Sequence, residues 1–178
     1  NFSENLEYSF FPVPNFTFQK VDIFKNDKNL ANIKHLRVNL SLKNLYSLNN
    51  LKVKNILLED ANFNFFKEDI DFFTKVLKND FSDFGIEIID SKVFFRNFEK
   101  EVLFINKIKK MKYYYDDKIL QNILYTENEI FKFPYSLTLY EDISKKKIFS
   151  KFNLNILKLQ IENELDYAGD FKKGLINS

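Results

Sequence analysis

The 178-residue sequence contains no cysteine, three glycines, three prolines and a single histidine. The absence of cysteine excludes disulfide frameworks, thiol catalysis and cysteine-based zinc sites. Three glycines provide little material for phosphate-binding loops, and no Gly-x-Ser-x-Gly, Gly-x-Gly-x-x-Gly or Gly-Lys-Ser/Thr motif occurs. One histidine with scattered carboxylates does not supply a metal site. We therefore expect a protein that is not an enzyme and has no metal site or cofactor.

An excess of positive charge is also missing, since 27 Lys and Arg are nearly balanced by 25 Asp and Glu. Proteins that bind polyanions usually concentrate positive charge, so no nucleic-acid partner is expected. One basic stretch, residues 107–112, adjoins Tyr113–Tyr115, a combination that can bind single-stranded nucleic acid. Because Lys110 and Lys112 alternate with apolar residues, the solvated face of a strand is the better interpretation. A nucleic-acid-binding β domain remains the least favoured alternative.

Large apolar residues are abundant, with 45% hydrophobic residues and 22 phenylalanines. Such a chain is too apolar to be disordered, and its length suits one domain. The sequence starts Asn-Phe-Ser without Met, and we interpret residues 1–178 as a single β-rich segment excised from a longer, repetitive chain. No charge-free apolar stretch reaches the roughly 20 residues of a transmembrane helix.

Hydrophobicity alternates with a period of two, which is typical of strands with one buried face. In residues 33–42, Leu36, Val38 and Leu40 alternate with polar residues that include His35, which we interpret as a surface side chain. Residues 131–139 and 151–156 repeat this pattern. After Ile156 the parity changes, which indicates a bulge or a bend.

Polar pairs interrupt the apolar runs and predict turns, among them Glu59-Asp60 and Asp90-Ser91. Helical spacing of apolar residues predicts one short helix near 68–78. The predicted fold is mainly β, an antiparallel meander that forms a curved sheet, either groove-like or closed as a sandwich.

The strongest apolar stripes define candidate residues that line either a groove for a lipid chain or a closed core. The pattern does not distinguish these two uses. The candidates are Leu36, Val38, Leu40, Phe131, Phe133, Tyr135, Leu137, Leu139, Phe152, Leu154 and Ile156.

Several motifs follow one another in a distinctive order. Residues 11–18 contain a Pro-x-Pro entry into a strand, and residues 35–45 run into Ser-Leu-x-x-Leu. Residues 55–65 read x-Ile-x-Leu-x-x-Ala-x-Phe-x-Phe, and residues 86–95 read Ile-x-Ile-x-Asp-Ser-x-Val-x-Phe. Residues 129–137 form a later strand with a proline step. This order resembles the AsmA family of Gram-negative envelope proteins, which is related to TamB.

The resemblance implies a non-enzymatic, periplasmic segment of a parent protein that is anchored to the inner membrane by a segment absent here. It also implies a β groove that binds phospholipid acyl chains and contributes to phospholipid transport and outer-membrane homeostasis. The alternative is a closed β-sandwich that acts as a scaffold or adhesin module without a ligand.

Overall fold

The computed structural model describes residues 6–25, 28–42, 51–66, 84–142, 144–166 and 173–177. The helix predicted near 68–78 lies outside these residues. The described chain forms eleven strands, with one turn of 3₁₀ helix at Asn155–Leu157. The strands are β1 (Leu6–Ser9), β2 (Asn15–Lys25), β3 (Lys28–Leu40), β4 (Val53–Phe66), β5 (Gly85–Arg96), β6 (Val102–Asp116), β7 (Gln121–Ile130), β8 (Phe133–Asp142), β9 (Lys147–Leu154), β10 (Leu159–Asp166) and β11 (Lys173–Asn177).

All eleven strands belong to one sheet, in which they are ordered as in the sequence. The described edge strands β1 and β11 do not pair with each other, so the sheet is open. The prediction of a mainly β meander in a curved sheet is confirmed. One junction differs from a pure meander, because β4 and β5 are parallel. The end of β4 and the start of β5 therefore lie at opposite ends of the sheet.

The two ends of the sheet are named here after a residue in one turn. The Phe131 end carries the turns after β2, β5, β7 and β9, and the Leu120 end carries the turns after β1, β6 and β8. In the antiparallel part of the sheet each strand runs from one end to the other, so apolar turn residues from distant parts of the sequence gather at a common end.

Alternation gives the sheet an apolar inner face and a mixed outer face, on which charged and polar residues alternate with apolar ones such as Ile89 and the stacked rings of Tyr140 and Phe149. In β8, Tyr135, Leu137 and Leu139 lie on the inner face, whereas Ser136 and Thr138 lie on the outer one. The outer face carries cross-strand ion pairs, including Lys107 with Glu129 at 2.6 Å. Opposite charges at facing positions stabilise the pairing of neighbouring strands, and the charged side chains remain in contact with solvent.

The inner face is interrupted along one line, the crease, where five neighbouring strands each contain an extra residue. Inward positions that are normally two residues apart are three apart here. The inward pairs are Phe18 and Val21, Ile33 and Leu36, Leu58 and Ala61, Ile88 and Ser91, and Ile108 and Met111. The extra residues lie at one level of the strand register, so pairing is in step on both sides of the crease between β2 and β6.

Three of the extra residues have left-handed backbone conformations. Lys20, Asp60 and Asp90 have φ values of 55°, 52° and 47°. Aspartate tolerates this region better than most residues, which explains its use in β4 and β5. The turns predicted at Glu59-Asp60 and Asp90-Ser91 are wrong, because each pair lies within a continuous strand.

The hydrophobic core lies at the crease. Ile33 is 2% exposed and Ala61 is 1% exposed, with Val21, Leu58 and Ile88 buried around them. These inward side chains pack on one another across β2 to β6, with partly buried neighbours that include Phe18, Leu36 and Phe63. Small residues, Ala31, Ala61 and Ser91, are among the most buried positions of the crease.

Ser91 replaces part of the hydrogen bonding that the crease interrupts between β4 and β5. Its side chain is fully buried, and Oγ accepts a hydrogen bond of 3.0 Å from the Ala61 amide. The same hydroxyl donates a 2.7 Å bond to the Ile89 carbonyl. The buried amide of the neighbouring strand is thereby satisfied, as buried backbone groups generally must be.

Candidate apolar binding surface

One groove on the inner face, the β8 groove, combines residues from β7, β8 and β9 with the turn that follows. It has a volume of about 560 Å³. Five of the candidate residues line it: Phe133, Tyr135, Leu137, Phe152 and Leu154. The rings of Tyr135 and Phe152 lie 5.2 Å apart, so neighbouring strands present a continuous apolar wall. Register explains this meeting, because Leu137 is directly opposite Phe152.

A second groove, the crease groove, lies on the same face nearer to β4 and β5. Its volume is about 490 Å³, and its lining is almost entirely apolar. Residues that line it include Ile23, Leu30, Phe63, Phe65, Val93 and Phe95. None of these was among the sequence candidates. The crease interrupts the alternation of apolar and polar residues in β4 and β5. The only sequence pattern that could have indicated these groove residues is therefore the short alternating runs 61–65 and 92–96.

An aromatic row links the two grooves at the Phe131 end. Phe65 and Phe95 have ring centroids 5.1 Å apart, and Phe95 stacks on Phe104 at 4.2 Å. Phe104 in turn lies 6.3 Å from Phe131. Aromatic pairs at these distances attract one another beyond the effect of area burial. The row extends the apolar surface from β4 to the turn between β7 and β8.

A small cluster of polar side chains on β6, β7 and β8 lies between the two grooves. The Tyr135 hydroxyl donates a 2.9 Å hydrogen bond to Oδ1 of Asn106, and the Asn106 amide contacts Oδ1 of Asn128 at 3.4 Å. The Thr126 hydroxyl also donates to Asn128. Burial raises the pKa of Tyr135 above its usual value, although the bond to Asn106 opposes the shift. The Tyr135 hydroxyl is therefore uncharged at neutral pH, and its ring lines the β8 groove.

Four further candidates also lie on the inner face, outside these two grooves. Leu36 and Val38 are half-buried in β3, and Leu40 is buried at the end of that strand. Leu139 lines a small cavity of about 30 Å³ together with Asn122. The structure therefore uses Leu40 as core and leaves the other three partly accessible.

The placement of Phe131 and Ile156 in strands is wrong. Phe131 lies in a two-residue turn with Lys132, with φ values of 49° and 67°, and is mostly exposed. Positive φ at both central residues gives the turn geometry that matches strand twist, although glycine or asparagine usually occupies it. Ile156 lies in the 3₁₀ turn after β9 and is exposed. This turn is the bend that the parity change indicated.

The basic stretch at 107–112 lies largely on the outer face and is paired with acidic residues. Nζ of Lys112 lies 3.5 Å from Glu87, and Lys110 approaches the same carboxylate at 3.9 Å. His35 also lies on this face, in β3. The outer face therefore combines lysines with neighbouring carboxylates rather than forming a uniformly positive strip.

No protein-family model matches the sequence, and no curated protein matches it. The resemblance to the AsmA family therefore stays a prediction. Among the described residues, no helix is long and apolar enough to cross a membrane. The same part of the chain contains no group of three potential metal ligands from His, Cys, Asp and Glu.

The geometry of the inner face suits non-directional binding. Its two grooves offer aliphatic and aromatic side chains, and the polar groups between them are bonded to one another. Such a surface favours the burial of hydrocarbon and offers few groups for reading a polar ligand.

Proposed function

We propose that this chain is a non-enzymatic lipid-binding segment whose curved sheet takes up phospholipid acyl chains on its inner face. The observation that carries the proposal is the pair of apolar grooves on one face of an open sheet. Among the described residues, no second layer covers that face.

The energetics of such a groove support an acyl chain as the ligand. Each methylene removed from water contributes about 0.8 kcal/mol, without any need for directional contacts. In β8 the groove runs from Phe133 to Leu137, about 13 Å at 3.3 Å per residue, which accommodates part of an extended acyl chain.

The wider biological setting rests on the resemblance alone. We propose that the parent protein is AsmA-like, anchored to the inner membrane and exposed to the periplasm, where it contributes to phospholipid transport and outer-membrane homeostasis. The competing function is a scaffold or adhesin module that uses the same residues as a core without a ligand.

Photo-cross-linking tests the groove directly. The full chain carries p-benzoylphenylalanine at Leu137, on the inner face, or at Thr138, on the outer face, and is irradiated with detergent-solubilised phospholipid. Adjacent strand residues point to opposite faces, so the two positions are matched in every respect except orientation. Phe152 and Asn153 in β9 provide a second matched pair.

We expect lipid adducts, detected by mass spectrometry, at Leu137 and Phe152 and few at Thr138 and Asn153. Equal labelling of both faces, or none on either, would contradict an acyl groove and favour the scaffold. Lipid analysis after denaturing extraction of the purified chain is an independent measurement, and co-purifying phospholipid is the expected result.

A further inference from the structure

The turns at the Phe131 end share a combination of exposed apolar and basic residues. Four turns at this end carry exposed apolar side chains: Phe24, the last but one residue of β2, Phe98 in the β5–β6 turn, Phe131 in the β7–β8 turn and Leu157 in the β9–β10 turn. Exposed apolar residues gathered at one place mark interaction surfaces, whereas scattered ones need no explanation.

Basic residues accompany these apolar tips. Three of the turns carry a lysine in left-handed conformation one or two residues after the apolar residue, namely Lys100, Lys132 and Lys158. Glu99 and Glu101 are the acidic residues among the described turn residues at this end. Further basic residues at the same end are Lys25, Lys28 and Arg96.

The Leu120 end also exposes apolar side chains but differs in charge. Phe10 and Phe11 are exposed in its β1–β2 turn, and Ile119 and Leu120 are exposed in its β6–β7 turn, so apolar exposure alone does not distinguish the ends. At this end Asp116, Asp117 and Asp142 are matched in number by Lys118, Lys145 and Lys146, so the turns are close to neutral, whereas lysine and arginine outnumber glutamate at the Phe131 end. Charge therefore distinguishes the two ends, and it favours an anionic partner at the Phe131 end.

We propose that the Phe131 end docks on the surface of a bilayer that contains anionic lipids. Apolar tips enter the interface while the lysines beside them contact headgroups, an arrangement that long basic side chains allow. Negative lipid surfaces attract nearby Lys and Arg residues in just this manner. The turns after β5, β7 and β9 are two strands apart, about 10 Å each, so several tips reach one surface together.

The grooves support the same orientation. The β8 groove includes Phe133 and Leu157, and the crease groove includes Ile23 and Phe65, all of which lie toward the Phe131 end. Docking there brings the part of each groove that lies toward this end close to the lipid. The docking surface would bring the proposed acyl groove to a membrane, and this biological role rests on the proposed function. Vesicle binding itself depends only on the exposed apolar and basic residues of the turns.

Vesicle flotation tests the docking surface with the full chain. The probes are vesicles of phosphatidylcholine with one quarter phosphatidylglycerol, and vesicles of phosphatidylcholine alone. We expect flotation with the anionic vesicles and a loss of at least about tenfold in the partition coefficient with the neutral ones.

Two matched pairs of variants localise the contact. The double variant Phe98→Ser/Phe131→Asn removes tips that are 68% and 70% exposed, and Ile119→Ser/Leu120→Asn removes tips that are 51% and 66% exposed at the other end. Phe131 and Leu120 both have positive φ, so asparagine is tolerated equally at the two sites. Lys132→Glu and Lys146→Glu form the charge pair, again both at positive φ.

We expect about a tenfold loss of vesicle binding for the Phe98/Phe131 variant and about fivefold for Lys132→Glu, with both Leu120-end controls within about twofold of wild type. Equal losses at both ends, or no vesicle binding by wild type, would overturn the proposal. A concentration-dependent dimer that disappears in the Phe98/Phe131 variant would also overturn it, in favour of a second copy. Lipid cross-linking at Leu137 without vesicle flotation would refute the docking surface but not the acyl groove. Flotation without cross-linking would refute the acyl groove but not the docking surface.

Discussion

Replacing Ser91 by alanine tests whether the crease is held together by this buried hydroxyl. The substitution leaves the buried Ala61 amide without its 3.0 Å partner and removes the 2.7 Å bond to Ile89. An unsatisfied buried amide costs about 1–3 kcal/mol, and a lost bond costs about 0.5–1.5 kcal/mol net. We therefore expect Ser91→Ala to lower the free energy of unfolding by about 2–4 kcal/mol.

The measurement is urea denaturation followed by circular dichroism, with Ser136→Ala as the matched control. Ser136 lies on the outer face of β8, and its Oγ accepts only a long 3.4 Å bond from Asn153. The control is expected to change stability by no more than about 0.5 kcal/mol. Equal unfolding midpoints for the two variants would refute the role assigned to the Ser91 hydroxyl.

Two further changes test the backbone and the electrostatics. Asp90→Val places a β-branched residue at φ 47° and is expected to cost about 1–2 kcal/mol, whereas Asp90→Gly should preserve stability; a valine variant as stable as wild type in urea would contradict this. The hydrogen bond from the Ser144 hydroxyl, together with the Lys145 amide and charge, holds the pKa of Asp142 at about 2, below its usual 3.8. Because the folded state lowers this pKa, the stabilisation is complete above pH about 4 and is lost as the pH falls from about 4 to about 2. Ser144→Ala should move the Asp142 pKa toward 3.8 in an NMR titration, and an unchanged value would count against the bond.

Regular alternation predicted the β character and the inward residues of β3, β8 and β9 correctly. Leu137, Phe152 and Leu154 meet in one groove as their parity indicates. In the runs 36–40, 133–139 and 151–154 apolar residues face inward, and tertiary packing did not override this pattern. Beyond these runs the pattern is less regular, because Tyr140 and Phe149 stack on the outer face.

The errors arose where one signal has two structural meanings. A polar pair such as Asp90-Ser91 between apolar runs is typical of a hairpin turn, but it also fits an extra residue within a bent strand. The distinction depends on the neighbouring strands, which share the extra residue at the same level. Phe131 gave no turn signal, because phenylalanine seldom occupies positive φ. The parallel pairing of β4 and β5 depends on how the chain returns between them, which alternation does not encode.

The shared level of the crease restricts how the length of this chain can change during evolution. A strand that lost its own extra residue, for example Asp90 from β5, would still alternate regularly. Its second half would then stand one residue out of step with β4 and β6, and Val93 and Phe95 would lie beside outward side chains of both neighbours. Substitutions at Lys20, Asp60 or Asp90 are therefore far easier to accept than a deletion. A deletion there is tolerated only if the adjacent strands lose a residue as well.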